Sequence, residues 1–237
     1  MALESGIPIV LIPGLLNTED LWRDQMQGLA DLGNVLVTTE QRDYDNMPEI
    51  ADRILNATPE RFALAGLSLG GYVAFEILRQ APERVITLAL LDTTARPDTE
   101  DKMQQRRNAI QLAREQGLHS VLKANLPNLL HPKHLKDKTI VERLTRMAEE
   151  VGVDAFVRQQ NAIMNRPDSR SLLPDIRCPT LVLCGREDSL TPPELAQEMA
   201  DTIPNSRLVI IKESGHLSAI EQPEQVTASM REWLTTM

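Results

Sequence analysis

Six short apolar stretches recur along the chain and indicate its main secondary structure. Each is rich in Val, Ile, Leu and Ala, and the apolar residues follow one another without alternating with polar ones. Continuous runs of this kind are typical of strands that are buried on both faces of a parallel sheet. The predicted strands cover residues 7–12, 34–38, 61–65, 85–91, 180–184 and 207–211.

Helical spacing of apolar residues fills most of the intervals between these strands. Amphipathic patterns of this type occur over 22–29, 72–78 and 226–234, and Pro82 ends the second of them. Strands that alternate with helices predict a parallel sheet between two helical layers. The expected fold class is therefore α/β, with a three-layer α/β/α arrangement around a mainly parallel six-stranded sheet.

The segment 93–175 breaks this alternation, because no strand pattern appears in it. Helical patterns cover 103–116, 140–151 and 153–164, and Pro with polar residues marks both ends of the segment. We interpret 93–175 as an inserted helical cap, or lid. Residues 1–92 and 176–237 would then form the core, and the whole chain would be one domain with a lid.

Charge and composition limit the possible partners. The 237 residues include 34 acidic and 25 basic side chains, and the net charge of -9 would repel nucleic-acid phosphates and anionic lipid headgroups. We therefore expect neither nucleic acid nor a membrane as a partner. Aromatic residues make up only 3%, so a pocket would be lined mostly by aliphatic side chains.

Two further observations favour the cytoplasm. No basic segment precedes the first apolar run, which is also too short for a signal peptide or a membrane span. Cys178 and Cys184 stand at opposite ends of one predicted strand, roughly 20 Å apart, and are too distant to form a disulfide. Free thiols in or beside a core strand fit a reducing compartment.

A serine between glycines is the strongest chemical signal. The third predicted strand runs into Gly66-Leu67-Ser68-Leu69-Gly70, a GxSxG pattern followed by a helix. Glycines two residues on either side allow the sharp turn that exposes a nucleophilic serine. The alternative is a glycine-rich turn or phosphate-binding loop, but no Walker-type Lys and no GxGxxG pattern is present.

A serine nucleophile needs a base and an acid. Of four histidines, only His216 lies outside the insertion, directly after the last predicted strand, where it would meet Ser68 at the carboxyl edge of the sheet. Asp188, after the fifth strand, is the preferred carboxylate to orient this base. Glu187 and Asp92 compete with it for that role.

The reaction also requires donors for an oxyanion. The loop after the first strand contains Gly14, and its turn would direct the backbone amide of Leu15 inward. The amide of Leu69, the residue after the nucleophile, would be the second donor.

These segments together resemble the α/β-hydrolase superfamily, in its small esterase-like branch. Pro13-Gly14-Leu15, the GxSxG turn, Gly185-Arg186-Glu187-Asp188, and Ser214-Gly215-His216 followed by Glu221-Gln222-Pro223-Glu224 carry the resemblance over most of the chain. It implies the order nucleophile, acid, base for Ser68, Asp188 and His216. It also implies the strand order 2-1-3-4-5-6, and a cap inserted after the fourth strand.

The predicted function is a serine hydrolase of small carboxylic esters, thioesters or lactones, with a small-molecule acyl substrate. It needs no metal and no organic cofactor. A carbon–carbon bond or enol-lactone hydrolase and a slow-turnover ligand-binding homologue stay open as alternatives, and so does the choice between monomer and homo-oligomer. The expected substrate-binding residues are Gly14, Leu16, Met147, Phe156 and Met164, although the three cap residues could equally pack within the cap.

Overall fold

The computed structural model describes residues 6–236 and contains a six-stranded sheet. All neighbouring strands are parallel, and their order is β2-β1-β3-β4-β5-β6. The strands are β1 Ile9–Ile12, β2 Val35–Val37, β3 Phe62–Leu67, β4 Val85–Leu91, β5 Thr180–Gly185 and β6 Ser206–Ile211. The predicted fold class and strand order are confirmed.

Two strands differ from their predicted bounds by two residues at one end: β1 begins at Ile9, and β3 ends at Leu67. This strand continues through Gly66 to Leu67, two residues beyond the apolar run that ends at Ala65. The extension occurs because Gly66 and Leu67 pair with Leu90 and Leu91 of β4. A glycine interrupts the apolar pattern without interrupting the backbone pairing, so β3 leads directly into the residue that follows, Ser68.

Eight helices accompany the sheet within residues 6–236. They are α1 Arg23–Leu29, α2 Met47–Ala57, α3 Leu69–Gln80, α4 Glu100–Leu129, α5 Lys138–Met164, α6 Pro193–Thr202, α7 Ser218–Glu221 and α8 Pro223–Thr235. Short 3₁₀ helices cover Glu19–Trp22, Glu40–Arg42, Pro82–Arg84 and Arg170–Asp175.

Alternate residues of each strand face opposite helical layers. Val10 and Ile12 of β1 belong to a hydrophobic core formed with α2, α3 and α6. Ile9 and Leu11 belong to a second core, formed with α1 and α8 on the other face. The central strands β1, β3, β4 and β5 are therefore buried on both faces, as their continuous apolar runs predict. The same prediction is wrong for β2 and β6, which lie at the edges of the sheet and are only partly buried.

Helices α4 and α5 occupy most of the segment predicted as a cap. Each contains a residue with non-helical backbone, Gly117 in α4 and Gly152 in α5, where a positive φ kinks the helix. Gly152 separates the predicted helices 140–151 and 153–164. Helix α4 continues to Leu129, well past the predicted end at 116, because Val121 and Leu122 are buried in hydrophobic clusters.

The structure also bears on two expectations from the sequence, that no segment spans a membrane and that the two cysteines are free thiols. Within 6–236, none of the helices combines the length and the hydrophobicity that a membrane span needs. Cys184 is buried in β5, Cys178 is partly buried just before it, and both are free thiols.

Candidate active site

Ser68 lies at the turn between β3 and α3 and has an unusual backbone conformation. Its φ of 54° and ψ of -113° are strained for a residue with a side chain. The flanking glycines permit the close packing around it, because a Cβ on Gly66 would lie 2.2 Å from the carbonyl oxygen of Gly70. A Cβ on Gly70 would lie 2.1 Å from the carbonyl oxygen of Ile12. The GxSxG pattern therefore has a steric basis.

Loops from three different strands bring Ser68, His216 and Asp188 together. The Nε2 atom of His216 lies 2.9 Å from Oγ of Ser68, and its Nδ1 atom lies 2.8 Å from Oδ2 of Asp188. The amides of Leu190 and Thr191 each donate to Oδ1 of Asp188 at 2.9 Å. These bonds fix the carboxylate, which in turn orients the imidazole with Nε2 toward the serine.

The two competing carboxylates make other contacts. Asp92, at the end of β4, accepts a hydrogen bond from Oγ of Ser218 at 2.5 Å. Glu187 accepts one from the amide of Ser214 at 3.1 Å. Within residues 6–236, neither carboxylate is hydrogen-bonded to His216. The carboxylate paired with the histidine is thus the one that follows β5, as the sequence favours.

The electrostatics of the three buried groups are coupled. Burial by itself would lower the pKa of His216, but the charge and the hydrogen bond of Asp188 outweigh it and hold that pKa above the ordinary 6.5. Burial would raise the pKa of Asp188, but the histidine keeps it below its usual 3.8. Burial and the charge of Asp188 together raise the pKa of Asp92 to about 7. At neutral pH the acid beside the histidine is therefore ionised, whereas Asp92 is ionised only in part.

The two amides expected to hold an oxyanion, those of Leu15 and Leu69, donate to no acceptor in the part of the chain that the structure describes. The Leu15 amide donates to no acceptor among residues 6–236, whereas the next amide, that of Leu16, donates to Oε1 of Gln159 in α5 at 3.2 Å. Leu69 is the first residue of α3, and first-turn amides have no partner within their own helix. Both amides are available to an acceptor at the site.

A cavity of about 670 Å³ opens on Ser68 and His216. Leu15, Leu16 and Phe156 line it, as does a set of residues from α4 and α5. The predicted substrate contacts of Leu16 and Phe156 are thus placed at the cavity wall.

Three other predicted substrate-binding residues lie outside that wall. Met147 is 1% exposed and packs in the core that also contains Leu21 and Trp22. Met164 is the last residue of α5 and does not line the cavity. Gly14 has no side chain and does not line the cavity, and a Cβ added to it would lie 2.8 Å from Oδ1 of Asn17. Helical spacing in α5 identified apolar residues, but it could not distinguish core-facing from cavity-facing ones.

Sequence reasoning did not assign a role to Glu221, a buried carboxylate in α7. Its Oε1 accepts the Gly215 amide at 2.7 Å, and its Oε2 accepts the His131 amide at 2.6 Å. The same Oε2 lies 2.8 Å from Nδ1 of His134. Glu221 thereby joins the loop of His216 to the connection between α4 and α5. The only sequence signal was its place in a segment resembling the superfamily.

Asp92, Cys184 and Asp188 form a buried group whose potential metal-ligand atoms lie within 4.8 Å of one another. Both carboxylates already accept hydrogen bonds, and Sγ of Cys184 lies 3.3 Å from the carbonyl oxygen of Thr191. Burial also raises the pKa of the Cys184 thiol, which disfavours the thiolate form that binds metals. These donors do not fit a metal site.

The open parallel sheet, the strained serine after β3 and the order serine, aspartate, histidine define an α/β hydrolase. The model of the alpha/beta hydrolase family matches residues 9–229 of the chain. This protein therefore belongs to the alpha/beta hydrolase family.

Known proteins of similar structure and sequence agree with this assignment. A thermophilic esterase from Thermogutta terrifontis, solved with malate bound, is 32% identical and has a TM-score of 0.88, with 99% of this chain and 91% of that one covered. The enol-lactonase from Burkholderia xenovorans LB400 is 22% identical, has a TM-score of 0.89 and shows the same fold over 98% of this chain and 92% of that one. A Yersinia enterocolitica protein named as a candidate carbamate hydrolase, RutD, is 26% identical over 95% of this chain and 86% of its own length.

Proposed function

We propose that this protein is a serine hydrolase of small carboxylic esters, thioesters or lactones. The observation that carries the proposal is the continuous hydrogen-bonded series from Ser68 through His216 to Asp188 at the wall of the cavity. A serine, an oriented imidazole and an ionised carboxylate are the groups that acyl transfer through a covalent intermediate requires.

In this mechanism His216 removes the proton from Ser68 as Oγ attacks the substrate carbonyl. The amides of Leu15 and Leu69 donate to the oxyanion that forms, and Asp188 stabilises the positive charge on the imidazole. The imidazolium then protonates the leaving alcohol or thiol, leaving an acyl group on Ser68. A water molecule deprotonated by His216 cleaves that acyl-serine and releases the acid.

The test is a turnover screen of the purified protein. Its panel contains ethyl esters of different acyl length, a thioester, a lactone and a carbamate ester, the last because one relative is named as a candidate carbamate hydrolase. We expect multiple turnovers with at least one ester, thioester or lactone. Labelling of Ser68 followed by product release too slow for repeated turnover would instead support a ligand-binding homologue.

The pH dependence of the reaction follows from the environment of His216. The base must be neutral to accept the serine proton, and its pKa lies above 6.5 because of Asp188. More than half of the enzyme is therefore inactive at pH 6.5, and kcat/KM rises as the pH increases through the elevated pKa. A pH profile of kcat/KM measures this directly. A midpoint of the acid limb below 6.5 would contradict the proposed assignment of the base.

A further inference from the structure

The wall of the cavity includes a cluster of polar and charged side chains. This cluster differs from the aliphatic lining that the composition predicts. We define the arginine cluster as Asp98, Arg106, Gln160 and Arg166, of which all but Arg166 line the cavity. The side chains of Asp98 and Arg166 are 1% and 5% exposed, and Gln160 is 3% exposed. Burying so many polar groups costs stability unless they are well paired.

Asp98 is shared between two guanidinium groups. Its carboxylate accepts from Nε of Arg106 at 2.5 Å and from Nη2 of Arg166 at 2.8 Å. Burial would raise the pKa of Asp98, but these two arginines hold it below its ordinary value. One negative charge thus faces two positive ones, and the arginine cluster keeps a net positive charge in a protein whose formal charge is -9.

The cluster also has unused donors at the cavity. Nη1 of Arg106 donates to Oε1 of Gln160 at 2.9 Å, and this bond directs the amide nitrogen of Gln160 away from Arg106. That nitrogen donates to no acceptor among residues 6–236. Arg106 has five N–H groups, of which two stay free once its bonds to Asp98 and Gln160 are made. Lys102, one turn earlier in α4, also lines the cavity.

The position of the cluster relative to Ser68 follows from α3. Tyr72 lies one helical turn after Ser68, about 6 Å along the helix axis, and also lines the cavity. The guanidinium carbon of Arg166 lies 4.1 Å from the centre of the Tyr72 ring. Tyr72 therefore connects the two parts of the site, since its backbone is one turn from the nucleophile and its ring contacts Arg166 of the arginine cluster.

We propose that the substrate carries a carboxylate on the acyl chain, bound by Arg106 and Gln160, so that the enzyme cleaves half-esters of short dicarboxylic acids. The proposal rests on the proposed function, because it places the scissile carbonyl at Ser68. A carboxylate suits this site because it can accept N–H bonds from a planar guanidinium and an amide together. The residual positive charge of the cluster offsets the cost of removing that carboxylate from water.

Selectivity between charged and neutral esters tests the site. The measured quantity is the ratio of kcat/KM for monoethyl succinate, glutarate or adipate to kcat/KM for ethyl butanoate, pentanoate or hexanoate, each pair matched in chain length. We expect this ratio to exceed ten for at least one pair. Arg106→Gln and Gln160→Glu should each lower it about tenfold or more, because one removes a cation and the other adds an anion.

Arg107→Gln is the matched control. Arg107 neighbours Arg106 on α4, but it pairs with Glu100 and lies outside the cavity wall. Its replacement removes the same charge from the protein and should leave the ratio unchanged. If the ratio falls equally for Arg107→Gln and Arg106→Gln, the effect comes from the overall charge of the protein. That result would overturn the proposal.

A binding measurement separates this proposal from the proposed catalytic function. Calorimetry with glutarate on Ser68→Ala protein needs no turnover, so it gives a result even if no ester is hydrolysed. We expect binding that weakens at least tenfold when Arg106→Gln is added and stays the same with Arg107→Gln. Absent glutarate binding, or binding that is insensitive to Arg106→Gln, would refute the carboxylate site. Failure of every ester with intact glutarate binding would refute only the hydrolase.

Discussion

Ser68→Ala should abolish ester hydrolysis and labelling by a fluorophosphonate probe. The alanine leaves His216 without the hydroxyl that lies 2.9 Å from its Nε2, and nothing else in the series can attack a carbonyl. We expect kcat to fall by about 10⁴- to 10⁶-fold, as for loss of a nucleophile that acts together with its base. The measurement is steady-state kinetics on the best ester of the screen, with probe labelling followed by gel fluorescence.

Ser189→Ala provides the matched comparison, since Ser189 also lines the cavity but donates to the carbonyl oxygen of Asn128. That variant should keep its labelling. The unfolding transition of Ser68→Ala should be no lower than that of the unmodified protein, because the hydroxyl serves chemistry rather than packing. Full labelling of a folded Ser68→Ala protein would place the nucleophile elsewhere.

Asp188→Asn should lower kcat by roughly 10³- to 10⁴-fold, a smaller loss than that of the nucleophile. An asparagine can still accept the amides of Leu190 and Thr191, so the loop is expected to keep its shape. It cannot supply the negative charge that stabilises the imidazolium and fixes its tautomer. Because Asp188 raises the pKa of His216, the residual activity should also have its acid limb at lower pH.

Asp92→Asn distinguishes the two buried aspartates at the same edge of the sheet. The pKa of Asp92 is about 7, so a neutral amide resembles a form that this side chain already adopts near neutral pH. Its oxygen can still accept from Ser218. We expect a loss of less than about tenfold. A loss equal to that of Asp188→Asn, with the same displacement of the acid limb, would assign the acid role to Asp92.

The strands of the sheet and the site residues at its carboxyl edge could both be predicted from the sequence, for the same physical reason. A strand buried on both faces needs a continuous apolar run, and the loop that follows it must lie at the carboxyl edge. Ser68, Asp188 and His216 each follow such a run, so a linear pattern specified a three-dimensional neighbourhood. Gly66 adds a steric signature, because its neighbour at Gly70 leaves no room for a side chain.

The residues of the cavity wall could not be predicted from the sequence in the same way. Its residues on α4 and α5 come from helices that are kinked at Gly117 and Gly152, and a kink rotates the face that one periodic pattern would present. Met147 therefore faces the core, whereas Phe156 reaches the cavity. The arginine cluster could not be predicted for a different reason. In the sequence, Asp98 and Arg106 do not differ from ordinary surface charges, and only tertiary packing buries them.

The attachment of the histidine loop determines how the segment over the cavity can move. The amide of His216 donates to the carbonyl oxygen of Leu129 at the end of α4, and Glu221 ties the neighbouring Gly215 to His131. The loop that carries the base is thus hydrogen-bonded to the connection between α4 and α5. An opening movement of α4 and α5 that keeps His216 aligned would therefore pivot about that connection and displace only the parts of these helices remote from it.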